Sequence, residues 1–195
     1  MKNYIVSELT KTRDLFERIL TDENLQKNIE IIANVCVQSL QRGNKIMFCG
    51  NGGSAADSQH LAAELVSKLS YDRPALNAIA LTVDTSALTA IGNDYGYVYS
   101  FSRQVQAIGN DGDILIGIST SGRSKNVVEA MKSAKAKKII TVGFLGREGR
   151  DIGEISDYQI NIPSDETPKI QEGHIACGHI ICALIEDHFF GKCRQ

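Results

Sequence analysis

Apolar residues along the chain follow two rhythms. Over the first forty positions the spacing is helical. Ile5, Leu9, Phe16, Ile19 and Leu20 form one stripe, and Leu25, Ile29, Ile32, Cys36 and Leu40 a second. Thr21-Asp22 followed by Glu23 supplies a break and restart, and Gly43-Asn44 a stop, so two helices are expected. Their apolar stripes suit the cover of one sheet face or contact with a partner subunit. From residue 45 short apolar runs alternate with helical spacing. Lys45–Gly50 (KIMFCG), Ala78–Thr82, Asp113–Ile118, Lys138–Phe144 and Tyr158–Ile162 read as strands. Helical spacing fills Ala55–Leu69 and Ser124–Lys135. A long helix from Pro168 to about Phe190 carries Ile170, Cys177, Ile181, Leu184 and Ile185 on its apolar side. This alternation implies βαβ crossovers, a mainly parallel sheet and an α/β fold. No linker or repeat interrupts it, so one domain over 1–195 is expected, with 1–43 as an N-terminal helical segment on the core or on partner subunits.

Composition narrows the function classes. The chain has 195 residues, 43% of them hydrophobic and 23% charged, which suits a soluble globular protein. A formal net charge of −2 lacks the broad basic surface of a dedicated nucleic-acid binder. No apolar run approaches the roughly 20 residues of a membrane span. The opening MKNYIVSELTKTRDLFERIL has charges throughout and does not read as a signal peptide. Five cysteines (Cys36, Cys49, Cys177, Cys182 and Cys193) sit mostly in apolar runs with no C-x-x-C, as buried reduced thiols do. A cytoplasmic enzyme or binding protein is the expectation.

In a parallel sheet ligands bind beyond the carboxyl ends of the strands, where two loops here carry unusual chemistry. In CGNGGSAADSQH (49–60), Gly50, Gly52 and Gly53 let backbone approach a ligand, and Ser54 stands where an N-cap would, with Asp57 three residues on. A plain turn and cap would use the same residues. In ISTSGRSKN (118–126), Ser119, Thr120, Ser121 and Ser124 surround Gly122 at a helix start. A cap needs one or two hydroxyls, whereas four beside a positive helix end suit a phosphomonoester.

Two further groups stand out. His60 and Glu64 are four apart on one helix face, and Gln171, Ile175 and His179 form a row on the last helix. If these helices meet, two histidines, a carboxylate and an amide converge, a set that zinc accepts in open catalytic sites. A solvated helix pair is the alternative for His60 and Glu64.

Together CGNGGSAADSQHLAAEL, GND (92–94), ISTSG with Ser124, and IQEGH (170–174) resemble the sugar isomerase, or SIS, family, over nearly the whole chain. The resemblance is nearest to its sedoheptulose-7-phosphate isomerases. It implies a flavodoxin-like three-layer αβα sandwich and a homotetramer with active sites at subunit interfaces. It also implies zinc on His60, Glu64, Gln171 and His179, with Glu64 as the base and His179 as its acid–base partner. By the same resemblance Asn51, Gly52, Gly53 and Ser54 cradle the phosphosugar substrate, with Gln171 also touching it. Asn93 and Asp94 meet its hydroxyls, though a plain turn is their other reading. Ser119, Thr120, Ser121 and Ser124 take the phosphate. A related SIS tetramer binds the bacterial replication initiator without catalysis, but lacks the acidic residue and histidine that match Glu64 and His179. Isomerisation of a different phosphosugar is the remaining alternative. His174 is expected to be structural, His188 a surface or packing residue, and GREGRD (146–151) a charged mobile loop without a role. Gly173 and Gly178, inside the last helix, fit either close packing or tolerated small residues.

Overall fold

The computed structural model describes residues 1–70 and 72–191. Helices α1 (Lys2–Thr21) and α2 (Glu23–Gln41) come first, and Asp22 ends one and caps the other by accepting from the Leu25 amide at 3.0 Å. Then follow β1 (Ile46–Gly50), α3 (Gly53–Val66), β2 (Ala78–Ala80), α4 (Thr85–Asp94), a 3-10 turn (Tyr97–Tyr99), α5 (Ser102–Ile108) and β3 (Ile114–Ser119). The chain continues through α6 (Lys125–Ala136), β4 (Ile140–Gly146), α7 (Arg150–Ile155), β5 (Tyr158–Ile162) and α8 (Thr167–Phe190).

The five strands are all parallel and ordered β2-β1-β3-β4-β5, the flavodoxin-like order, so the topological switch lies between β1 and β3. Successive strand residues point to opposite faces, and each face has its own core. Ile46, Phe48, Ile116 and Phe144 pack under α2, α3 and α8, while Met47, Cys49, Leu115 and Leu145 pack under α5, α6 and α7. Helices on both faces complete the expected αβα layering.

Several expectations need correcting. Helices α4, α5 and α7 have no counterpart in the sequence reading. Asn93 and Asp94 close α4 rather than forming a turn. The 146–151 segment is not a loop throughout: Gly146 ends β4, Arg150 and Asp151 open α7, and the Gly149 carbonyl packs on Gly122 of the serine loop. In α1 the stripe of Ile5, Leu9, Phe16 and Leu20 is exposed, and Leu15 is the residue driven into the core. Leu184 is likewise exposed. Cys36, Cys49, Cys177 and Cys182 are buried free thiols, and Cys193 lies outside the described residues. No described helix is long and apolar enough to cross a membrane.

Candidate active site

The glycine loop leads into α3 through Gly52, whose φ of +57° is a left-handed conformation that glycine adopts without strain. Gly52 is the N-cap, so Ser54 is not the cap expected: it lies buried in the first turn, and its carbonyl accepts from the Ser58 hydroxyl at 2.8 Å. Asp57 therefore falls in the second turn, with nothing to cap. Its Oδ2 is buried with no partner among the described residues, and burial raises its pKa despite the opposing pull of His60.

One turn later α3 presents His60 and then Glu64, and α8 brings His179 across to them. The His60 and His179 Nε2 atoms are 2.8 Å apart, and His60 Nε2 lies 3.2 Å from Glu64 Oε1. All three donor atoms fall within 4.8 Å of one another, the only such group of three or more among the described residues. Two facing imidazole nitrogens at this distance either share a proton or turn their lone pairs on one cation. With a carboxylate beside them they form the donor set of an open zinc site, so the residues fit that metal. The close approach depends on Gly178, next to His179. A Cβ there would stand 2.7 Å from both Leu61 methyls, next to His60. Gly173 is equally close, with Ile162 2.7 Å from its Cβ direction, so both glycines serve close packing.

Gln171, at the other end of the α8 row, lays its carboxamide against Gly53, where any Cβ would collide with it. This contact joins the start of α8 to the glycine loop. Because Gly50 and Ile118 are paired neighbours, the serine loop emerges beside the glycine loop. Asn126 joins the two: its carboxamide and that of Asn51 exchange hydrogen bonds of 2.8 and 2.9 Å. Asn126 also donates to Ser100 Oγ at 3.2 Å, and the Tyr97 hydroxyl donates to Asn51 Oδ1 at 3.1 Å. One Asn51 amide hydrogen is left for a ligand. Sequence reasoning missed Asn126, Ser100 and Tyr97; an asparagine in the first turn of the helix expected from Ser124 was the available signal.

In the serine loop the hydroxyls face one another. Ser119 and Ser124 Oγ are 2.8 Å apart, and Ser121 Oγ lies 3.5 Å from Ser119 and accepts from the Arg123 amide at 3.2 Å. Ser124 is the N-cap of α6 yet makes no capping hydrogen bond with its side chain, so simple capping does not account for the hydroxyls. Gly122 has φ +65° and packs against the Gly149 carbonyl, where a Cβ would collide. Beyond the loop opens a cavity of about 250 Å³ bounded by Thr120, Ser121, Arg147, Ser164 and Ile170. It does not include the His60 cluster, and Arg147 and Arg150 there are paired with Asp165 and Glu148.

Asn93 and Asp94 are exposed and bond to each other at 2.8 Å; the turn after them carries Tyr97 to Asn51. His174 is fully buried against the Leu145 carbonyl at 3.0 Å, and burial pushes its pKa down to about 4 despite that bond, as befits a structural residue. His188 is paired with Gln41 at 3.1 Å.

The SIS domain family matches residues 9–146. Phosphoheptose isomerases of Burkholderia pseudomallei and Aneurinibacillus thermoaerophilus are 51% and 53% identical, over 97% of this chain and 96% of theirs. The solved phosphoheptose isomerase of Neisseria gonorrhoeae is 40% identical, with TM-score 0.90 over 95% of this chain and 98% of its own. That of Francisella tularensis is 33% identical, with TM-score 0.91 over 95% and 97%. These relatives align beyond Gly146, through Gln171 and His179, where the family match has ended.

Proposed function

Since the chain belongs to the SIS family, among its phosphoheptose isomerases, we propose that it interconverts D-sedoheptulose 7-phosphate and D-glycero-D-manno-heptose 7-phosphate. This aldose–ketose isomerisation is the first step towards activated heptose for lipopolysaccharide core or other surface glycans. The observation that carries the reading is the meeting of His60, Glu64 and His179 beside two ligand-type loops.

The reaction removes a carbon-bound proton next to the carbonyl and returns one to the neighbouring carbon through a cis-enediol. Glu64 is the base. Its backbone is fixed in α3 and its side chain is largely screened from water, so the carboxylate waits in place. His179, reaching the same point from α8, exchanges a proton with the sugar oxygens as negative charge develops on them. Asn51, Gly52, Gly53 and Ser54 line the sugar backbone, and Asn93 and Asp94 meet its hydroxyls. The hydroxyls of Ser119, Thr120, Ser121 and Ser124, with the amides at the start of α6, hold the phosphate.

Zinc held by His60, Glu64 and His179 would supply Lewis-acid polarisation of the sugar carbonyl. The Gln171 carboxamide, expected as a fourth ligand, packs on Gly53 instead, about two helix turns from His179 along α8. A carboxylate bound tightly to zinc is a poorer base than a free one, so Glu64 would act as base either through an oxygen the metal leaves free or after leaving the metal.

The functional unit is read as a cytoplasmic homotetramer with sites at subunit interfaces. In support, Ile5, Leu9 and Leu20 on α1 are exposed, and so are Val66 on α3 and Ile180 on α8, near the cluster. Residues 1–43 are read as part of the same domain, since α2 shares a core cluster with α3 and α8.

Glu64→Gln tests the base. It should abolish conversion of sedoheptulose 7-phosphate to an aldose phosphate, with circular dichroism and assembly unchanged. Near-normal turnover in that variant refutes the assignment. Equal turnover of pentose or hexose phosphates refutes the heptose substrate.

A further inference from the structure

Behind the His60–Glu64–His179 cluster lies a buried ion pair that none of the chemistry above uses. Arg73 Nε donates to Glu186 Oε1 at 3.0 Å, and both side chains are 1% exposed. The rest of the arginine fork reaches the end of α3: Nη2 donates to the Glu64 carbonyl at 2.7 Å and Nη1 to the Leu65 carbonyl at 2.6 Å. Glu186, on α8, also accepts from the Leu69 amide at 3.0 Å and the Ser70 amide at 2.7 Å. Burial works to raise the Glu186 pKa, but these amides and the guanidinium outweigh it and lower it. The carboxylate stays ionised.

We propose that Arg73 and Glu186 are positioning residues that set the spacing of α3 and α8 at the His60–Glu64–His179 cluster. The inference rests on reading that cluster as a metal-binding acid–base site.

Three features carry it. The last carbonyls of a helix have no partner within the helix, and a cation there also meets the negative end of its dipole. Arg73 fills both needs at Glu64 itself, so its grip acts on the residue that matters. Second, Glu186 lies seven residues after His179, two turns along the same face and about 10 Å away. The pair therefore joins α3 to α8 along the line on which the cluster stands. Third, a buried ion pair is costly to desolvate, and apolar side chains of similar volume would give packing alone. A planar fork with several fixed donors gives direction as well, which lysine cannot reproduce. None of these bonds reaches the serine loop, which stands on β3 and α6.

The test uses the full chain with Arg73→Lys and, separately, Glu186→Gln, which keeps the side-chain shape. Circular dichroism and oligomeric state establish which variants fold. Zinc affinity is measured by competition with a chromogenic chelator, and kcat and KM with sedoheptulose 7-phosphate. Zinc affinity should fall about tenfold or more and kcat about 10- to 100-fold, with KM within about twofold of wild type. Arg73→Met should lose more than Arg73→Lys. A folded variant with wild-type zinc affinity and kcat overturns the proposal. So does a rise in KM with zinc affinity unchanged, the mark of a general structural role. If the cluster reading is at fault, the failure differs: the wild type then binds no zinc that His179→Ala removes, and the proposal falls with it.

Discussion

Replacing Gly178 by alanine adds one methyl group at the point where α3 and α8 touch. The added carbon would stand 2.7 Å from both Leu61 methyls and 3.2 Å from its Cγ. Unbonded carbons settle at about 3.5–4.0 Å, so the overlap is about 0.8 Å or more. Leu61 has little room to yield. It is 1% exposed, and the void it shares with Phe48, Ile181 and Ile185 is about 10 Å³. Overpacking of this kind costs about 1–3 kcal/mol, and alanine in place of glycine inside a helix returns about 1 kcal/mol. The net loss of stability is therefore about 0–2 kcal/mol, which is small. Activity should suffer far more, because the neighbours of the two touching residues are His60 and His179, and a misplacement of about 1 Å can cost about 100-fold in rate. Urea unfolding and kcat on the same preparation separate the two effects. Pairing Gly178→Ala with Leu61→Ala, which empties the contested space, should recover part of the lost rate even though Leu61→Ala alone costs about 2–5 kcal/mol in stability. A Gly178→Ala protein about 1 kcal/mol more stable than wild type, with unchanged kcat, would refute the reasoning.

Two more outcomes follow from the same geometry. An unfolded histidine titrates near 6.5 but His174 titrates at about 4, so between those values the unfolded chain binds more protons and stability falls as pH falls. The loss from this group is about 2 kcal/mol between pH 7 and pH 5, and His174→Gln should remove it from the pH dependence of urea midpoints; an equal slope in both proteins would contradict this. Asn126→Ala leaves the Asn51 carboxamide without its buried partner. KM should rise about tenfold with zinc affinity unchanged, and an unaltered KM would remove Asn126 from the site.

Much of the sheet was legible because buried strands leave short apolar runs: β5 lies at Tyr158–Ile162, as the pattern indicates. The missed helices share a cause. α4 offers only Leu88 and Ile91 as large apolar positions, too few to establish a stripe, and α5 and α7 have seven and six residues, too few to establish a period. Periodicity also does not say which way a stripe faces, hence the exposure of Ile5, Leu9 and Leu184. At the site, side-chain types identified His60, Glu64 and His179, because i, i+4 spacing and a recognisable motif set are local properties. Ser54 was misplaced because Gly52, free to take a positive φ, starts the helix two residues sooner. Arg73 and Glu186 carried no signal, since a pair 113 positions apart leaves no pattern in either neighbourhood.

His60 and His179 stand 119 positions apart in the chain yet 2.8 Å apart in space. Both ligand-type loops precede the last helix in the chain, and Gln171 of that helix packs on the glycine loop. The groups that would hold metal and move protons stay incomplete until α8 docks. Chemical competence thus requires both halves of the chain at once, and a protein with α8 displaced would keep its loops' residues but lose the cluster.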